Sequence, residues 1–161
     1  MRANPFKKKE AESEPVVEEP LEQAPPLRVV IVEDTVDVRD MLRMTLEIGG
    51  FEIVAEAGDG AAGLVAVERH QPDLMVLDLA MPETGGLEIL PLVHGACGKT
   101  RVVVYSAIGA TYMTEAALKA GAHGYIQKGV SPKSIIEHLH RVAHAGAQRP
   151  VRPFPLVRDY A

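Results

Sequence analysis

From Leu27 onward the apolar positions come in short blocks, and most of these blocks stop on a polar side chain. Val29 to Val32 runs into Glu33-Asp34, Leu74 to Leu77 into Asp78, Val102 to Tyr105 into Ser106, and Gly124 to Gln127 into Lys128. Uninterrupted apolar runs of this length predict parallel strands buried on both faces. On that reading strand one covers about Arg28 to Val32, strand three Asp73 to Leu77, strand four Arg101 to Tyr105 and strand five Gly124 to Gln127. Glu52 to Ala57 is a further short strand, ended by the turn signal Gly58-Asp59-Gly60.

Between the strands the apolar period changes to that of helices. The first helix starts near Asp37, with Val38, Met41, Leu42 and Leu46 on one face and Gly49-Gly50 as its stop. The second spans Ala61 to His70. The third, about Leu87 to His94, contains Pro91, which is expected to end it early or bend it. The fourth spans Thr111 to Ala120 and stops at Gly121. Ser131-Pro132 opens the fifth with a cap residue and a proline at the first helical position, its apolar face is Ile135, Ile136, Leu139, Val142 and Ala143, and Gly146 closes it. Five strand–helix units in residues 27–146 predict an α/β fold with one doubly wound parallel sheet and helices on both faces.

Composition narrows the function classes. A hydrophobic share of 47% and a charged share of 24% are those of a soluble globular protein. Net charge is −5 with no long basic stripe, so no nucleic-acid-binding body is expected. Cys97 is the single cysteine, which excludes a disulfide framework and a thiolate metal cluster and suits a reducing cytoplasm. No run approaches the roughly 18 apolar residues of a membrane helix, and the first residues lack the apolar stretch of a signal peptide. A cytoplasmic location is the expectation. Residues 1–26, with Lys7 to Lys9 followed by Glu-rich, Pro-broken sequence, read as a disordered charged tail, and residues 147–161 as a Pro-rich one. The second tail carries three arginines and apolar anchors that suit docking on a partner or on the domain itself.

Ligands of parallel α/β sheets bind at the carboxyl edge of the strands, where these blocks end. If the strands are neighbours, Glu33, Asp34, Asp78, Ser106 and Lys128 converge there. Three close carboxylates repel unless a cation neutralises them, and Mg²⁺ suits an all-oxygen site that also handles phosphate. A carboxylate can attack phosphorus to give an aspartyl phosphate, with metal and lysine stabilising the charge on the phosphoryl oxygens. Asp78 is the candidate nucleophile, Glu33 and Asp34 the metal-holding pair, Lys128 the counter-charge and Ser106 a hydroxyl donor beside the small Ala107.

These residues resemble the response-regulator receiver domain of bacterial two-component signalling over about Leu27 to Gly146. The motifs are Val32-Glu33-Asp34, Asp78 to Pro82 with Gly86, Ser106-Ala107, and Gly121 to Lys128. The resemblance implies a flavodoxin-like sheet of order 2-1-3-4-5 with five helices. It implies that Asp78 accepts phosphate from a histidine kinase, and that Mg²⁺ is held by Glu33, Asp34, Asp78 and the Ala80 carbonyl. It also implies that Ser106 and Tyr125 form a switch pair controlling the face made by the fourth helix, the fifth strand and the fifth helix. The output is then a protein effector, with Tyr112, Met113, Ala116 and Ala117 toward the partner. Turnover of a separate substrate is not expected.

The sequence departs from the family at Gly129, where many members have a proline after the lysine. Ala80 and Ile108 offer no side chain to orient a water, which implies slow self-dephosphorylation. A relay intermediate passing phosphate to a histidine phosphotransfer protein stays open, as does a phosphorylation-independent binding module. A haloacid-dehalogenase-type phosphatase would want a second acid where Ala80 stands, and a flavin module a Ser/Thr/Gly-rich loop where Glu33-Asp34-Thr35 stands. His140 and His144, four apart on a helix, lack a third metal ligand, and they, His138 and the other histidines read as solvated surface. Cys97 reads as an incidental loop thiol.

Overall fold

The computed structural model describes residues 23–82, 86–107 and 111–146, apart from the side chain of Thr111. The readings of residues 1–22, of Ile108 and of the segment 147–161 lie outside the described residues. Chain order is β1 (Arg28–Val32), α1 (Val36–Ile48), β2 (Glu52–Ala57), α2 (Gly60–His70), β3 (Leu74–Leu77), α3 (Gly86–Ala96), β4 (Arg101–Ser106), α4 (Thr111–Lys119), β5 (Gly124–Gln127) and α5 (Pro132–His144). The five strands form one sheet of order β2-β1-β3-β4-β5, parallel throughout.

Strand alternation splits each apolar block between two cores. Val30, Val32, Met75, Leu77, Val102, Val104 and Tyr125 face one way and meet Val67 of α2, Leu90 and Val93 of α3, and Ala117 of α4. Val29, Ile31, Leu74, Val76, Val103, Tyr105 and Ile126 face the other way and meet Leu42 and Leu46 of α1 and Ile135, Leu139 and Val142 of α5. A strand buried on both faces has no polar alternation, which is why the sequence shows continuous blocks.

Register sets the site. Val32 pairs with Leu77, and Leu77 with Val104, so β1 and β3 end level, while β4 runs two residues further to Ser106, level with Gln127 at the end of β5. The ladder continues past the strand ends: Asp78 N–H donates to the Val32 carbonyl at 3.0 Å, Glu33 N–H to Ala57 at 3.0 Å, and Lys128 N–H to Ser106 at 2.9 Å. Helix starts follow local chemistry. Asp59 caps α2 by accepting from Ala62 N–H at 2.8 Å, and Ser131 caps α5 by accepting from Ser134 N–H at 3.2 Å.

Several expectations are corrected. Helix α3 does not stop early at Pro91 but runs to Ala96. Pro91 lies on the exposed side, where water can satisfy the carbonyl left without a partner, while Ile89, Leu90 and Val93 anchor the buried side. Met41 is not on the core face of α1; the buried stripe is Leu42, Thr45 and Leu46, and Met41 faces a groove beside α5. Ala117 is fully buried and Met113 packs against the core, so of the α4 residues expected at a partner face Tyr112 is the exposed one. Cys97 lies in the loop after α3, as expected, and is buried there.

The histidines are not uniformly surface groups. His138 of α5 is 1% exposed. Burial, with Arg141 adding repulsion, lowers its pKa from 6.5 to about 4. His123 Nδ1 accepts from Val102 N–H at 3.1 Å, and burial, with His94 and Arg101 adding to it, lowers its pKa to about 4 as well. His140 packs its ring on Phe51, 4.5 Å between centroids, and faces the Gly49 carbonyl, while His144 Nδ1 faces the His140 carbonyl at 2.7 Å.

A buried base with a depressed folded pKa favours the folded state fully above its unfolded pKa. That contribution is lost as pH falls from 6.5 toward about 4. His138 should therefore contribute about 3 kcal/mol of acid sensitivity across that interval. Urea unfolding at a series of pH values should show a clear fall in wild type and a shallower one in His138→Leu. Equal slopes would show that His138 is not the source.

Candidate metal and phosphoryl-acceptor site

Glu33 and Asp34 leave β1, Asp78 leaves β3, and Lys128 leaves β5. One carboxylate oxygen from each acid lies within 4.8 Å of those from the other two. Glu33 and Asp78 are nearly shut off from solvent, whereas Asp34 is exposed. Lys128 Nζ lies 2.7 Å from Glu33 Oε2 and 3.1 Å from Asp78 Oδ2. The remaining oxygens are held by the main chain, with Thr35 N–H donating to Glu33 Oε1 at 3.1 Å and Ala80 N–H to Asp78 Oδ1 at 3.0 Å.

Burial by itself would lower the Lys128 pKa. Its hydrogen bonds to Glu33 and Asp78 and the attraction of both acids outweigh that and raise it above the ordinary lysine value. Three carboxylates against one ammonium still leave two formal negative charges. The donor set is all oxygen, and Asp34 opens it to solvent, so these residues fit a small hard cation such as Mg²⁺. Each bound carboxylate oxygen retains a lone pair for such an ion. Asp34 is the least committed of the three, its Oδ1 being approached among the described residues only by the Thr35 hydroxyl at 3.5 Å.

Ser106 closes β4, fully buried, with its side chain hydrogen-bonded to Tyr125. Tyr125 is 4% exposed and so faces inward in this structure. Burial raises its phenol pKa, partly opposed by the Ser106 bond. Ala80 lies exposed two residues after Asp78.

Three residues not singled out from the sequence support the site. The Tyr105 ring lies under Lys128 Nζ, 5.6 Å from ring centroid to nitrogen, and burial raises its phenol pKa, with Lys128 opposing. Arg39 Nη1 donates to the Glu33 carbonyl at 2.6 Å, and Thr35 donates its N–H to Glu33 and, at 3.5 Å, its hydroxyl to Asp34. An aromatic one residue before Ser106 was the available signal for Tyr105, whereas main-chain contacts leave no residue-type signal. Gly129 has φ +100°, in the region that favours glycine, and no peptide bond among the described residues is cis. A Cβ on Gly86 would lie 2.8 Å from Leu79 Cα, beside the candidate nucleophile, so glycine there is a packing requirement.

Residues 29–140 match the family model described as the response regulator receiver domain. The chain is 33% identical over 114 residues to the chemotaxis protein CheY of Bacillus subtilis, covering 71% of this chain and 95% of that one. It superposes on the signal receiver domain of the putative response regulator NarL from Mycobacterium tuberculosis with a TM-score of 0.71 and 29% identity, covering 76% of this chain and all of that one. It is also similar to the CheX–CheY–BeF3–Mg complex from Borrelia burgdorferi, with a TM-score of 0.69 and 27% identity over 73% of this chain and 89% of the matched one. The chain belongs to the response regulator receiver domain family. Among the described residues no helix is long and apolar enough to cross a membrane.

Removing Lys128 strands two buried carboxylates. A fully buried pair broken in this way costs about 3–5 kcal/mol. The Lys128 side chain keeps 21% exposure, so about 2–4 kcal/mol is expected for Lys128→Met in urea unfolding without divalent cations. Added Mg²⁺ should recover more stability in that variant than it adds to wild type. Unchanged stability would mean that the ammonium does not neutralise these acids.

Proposed function

We propose that this receiver domain is a phosphorylation-activated signalling switch that takes its phosphoryl group on Asp78 from a histidine kinase. The observation that carries this reading is the setting of Asp78. It is a buried carboxylate whose oxygens are already held by an ammonium and a backbone N–H, beside two further acids. In the transfer an Asp78 oxygen forms the new O–P bond as the donor's P–N bond breaks, and the phosphohistidine imidazole leaves with the bond's electron pair. Glu33, Asp34, Asp78 and the Ala80 carbonyl are the groups we assign to Mg²⁺, which when bound offsets charge on the phosphoryl oxygens. Lys128 keeps its grip on Glu33 and turns its second contact from Asp78 to a phosphoryl oxygen.

The signal leaves through Ser106. A phosphoryl group adds acceptor oxygens within reach of the end of β4, and the Ser106 hydroxyl has one donor hydrogen to give. Ser106 turning toward the phosphoryl changes its bond to Tyr125, and Tyr125 sits on β5 between α4 and α5. We assign the output to a protein partner at the α4–β5–α5 face. The negative overall charge supports that over direct nucleic-acid binding. A cytoplasmic location and the lack of turnover on a separate substrate belong to the same reading. The BeF3 and magnesium of the Borrelia complex support it by analogy, since fluoroberyllate mimics a phosphoryl group.

The test is incubation of the purified protein with a small phosphodonor, with and without Mg²⁺, beside Asp78→Asn. Mg²⁺-dependent incorporation of an acid-stable, base-labile phosphoryl group, absent from Asp78→Asn, is expected. Incorporation that survives in Asp78→Asn would move the acceptor elsewhere. Passage of label from Asp78 to a histidine protein would make the domain a relay intermediate instead of a terminal switch. Because Ala80 has no polar side chain, the phosphoryl lifetime should be minutes or longer, and loss within seconds would contradict that.

A further inference from the structure

Outside the acid site, the described surface carries an apolar groove of about 300 Å³ between α1 and α5, lined by Met41, Met44, Thr45, Ile48, Pro132 and Ile136. Its α1 wall is unusually open for apolar side chains, with Ile48 83% and Met44 57% exposed. Helical spacing places Met41, Met44 and Ile48 on one stripe, with Asp37 at its head. Neither core of the sheet uses this stripe.

We propose that this groove seats the chain's own C-terminal segment, residues 147–161, with Phe154 and Leu156 as its apolar anchors. Reach and charge both favour this occupant. Helix α5 runs away from the acid site, and the eight residues from Ile136 to His144 rise about 12 Å. The segment must therefore double back by roughly that distance from Gly146. Eight extended residues, Gly146 to Phe154, span up to about 26 Å, which is sufficient.

The charge balance is complementary. The segment carries Arg149, Arg152 and Arg158 against Asp159. The α1 helix carries Asp37, Asp40 and Glu47; of its two bases, Arg39 is bound to the Glu33 carbonyl at 2.6 Å, and Arg43 is already shared among Asp40 at 3.3 Å, Glu47 at 3.8 Å and Glu56 at 3.8 Å. On α5, Lys133 is paired with Glu137 at 3.8 Å. Acids in excess on the groove face bases in excess on the segment. The prolines at 150, 153 and 155 restrict the free segment and lower the entropy lost on seating it.

The test uses the full chain with its methionine methyl groups labelled for NMR. In Phe154→Asp/Leu156→Asp the Met41 and Met44 methyl signals should move, while Met75, buried in the opposite core, stays in place as an internal control. Tryptic cleavage after Arg158 should accelerate at least ~10-fold in Met44→Glu/Ile48→Glu, two exposed positions whose substitution spares the core. Unmoved Met41 and Met44 signals, or equal cleavage rates, would overturn the proposal. So would groove signals that change with protein concentration while cleavage stays constant, because that pattern assigns the groove to a second copy of the chain.

Discussion

Two carboxylates almost wholly removed from water, those of Glu33 and Asp78, share one ammonium, and the carboxyl edge of the sheet is arranged around that sharing. Removing charges from water is costly, and attraction offsets the cost only where geometry is good and the remaining lone pairs are satisfied. Here Thr35 and Ala80 supply main-chain donors, while Tyr105 lies beneath the ammonium. The arrangement is held but not neutral. The residual negative charge is what a hard cation can relieve, and the single Lys128 is what an added phosphoryl group would reclaim.

That edge exists because β1 and β3 end level and β4 and β5 end together two residues further on. The pairings Val32 with Leu77 and Leu77 with Val104 set the last rungs, and the backbone bonds beyond them place Glu33, Asp78 and Lys128 where their side chains meet. A slip of one residue in β3 would turn Asp78 away from the site and bring Leu77 into it. The two cores oppose such a slip, because Met75 and Leu77 would exchange faces with Leu74 and Val76. Chemistry at the edge thus depends on packing well below it.

The strand blocks, their polar stops and the strand–helix alternation were legible in the sequence, since doubly buried strands and loop-end carboxylates are written in residue type. The strand order rested on resemblance to a known family and agrees with the observed sheet. Failures share a physical origin in tertiary context. Pro91 is tolerated because its lost bond faces water and its helix is anchored on the other side. His138 is buried because α5 packs that turn directly over β5, so close that a Cβ on Gly124 would lie 2.7 Å from its ring. Met41 leaves the core because α1 is rotated to present Leu42 and Thr45, a choice that apolar spacing alone does not determine. The main-chain contacts around Glu33 act through distances that no residue pattern records.

The most direct measurement of the central claim is a Mg²⁺ titration of the protein followed by NMR, reading the carboxylate carbons of Glu33, Asp34 and Asp78 together with the backbone amides. The expected result is saturable shifts confined to those acids and to the ends of β1, β3 and β5, abolished in Asp34→Asn/Asp78→Asn. Absence of saturation, or shifts centred elsewhere on the surface, would contradict the view that these strand ends form one cation-holding, phosphoryl-accepting site.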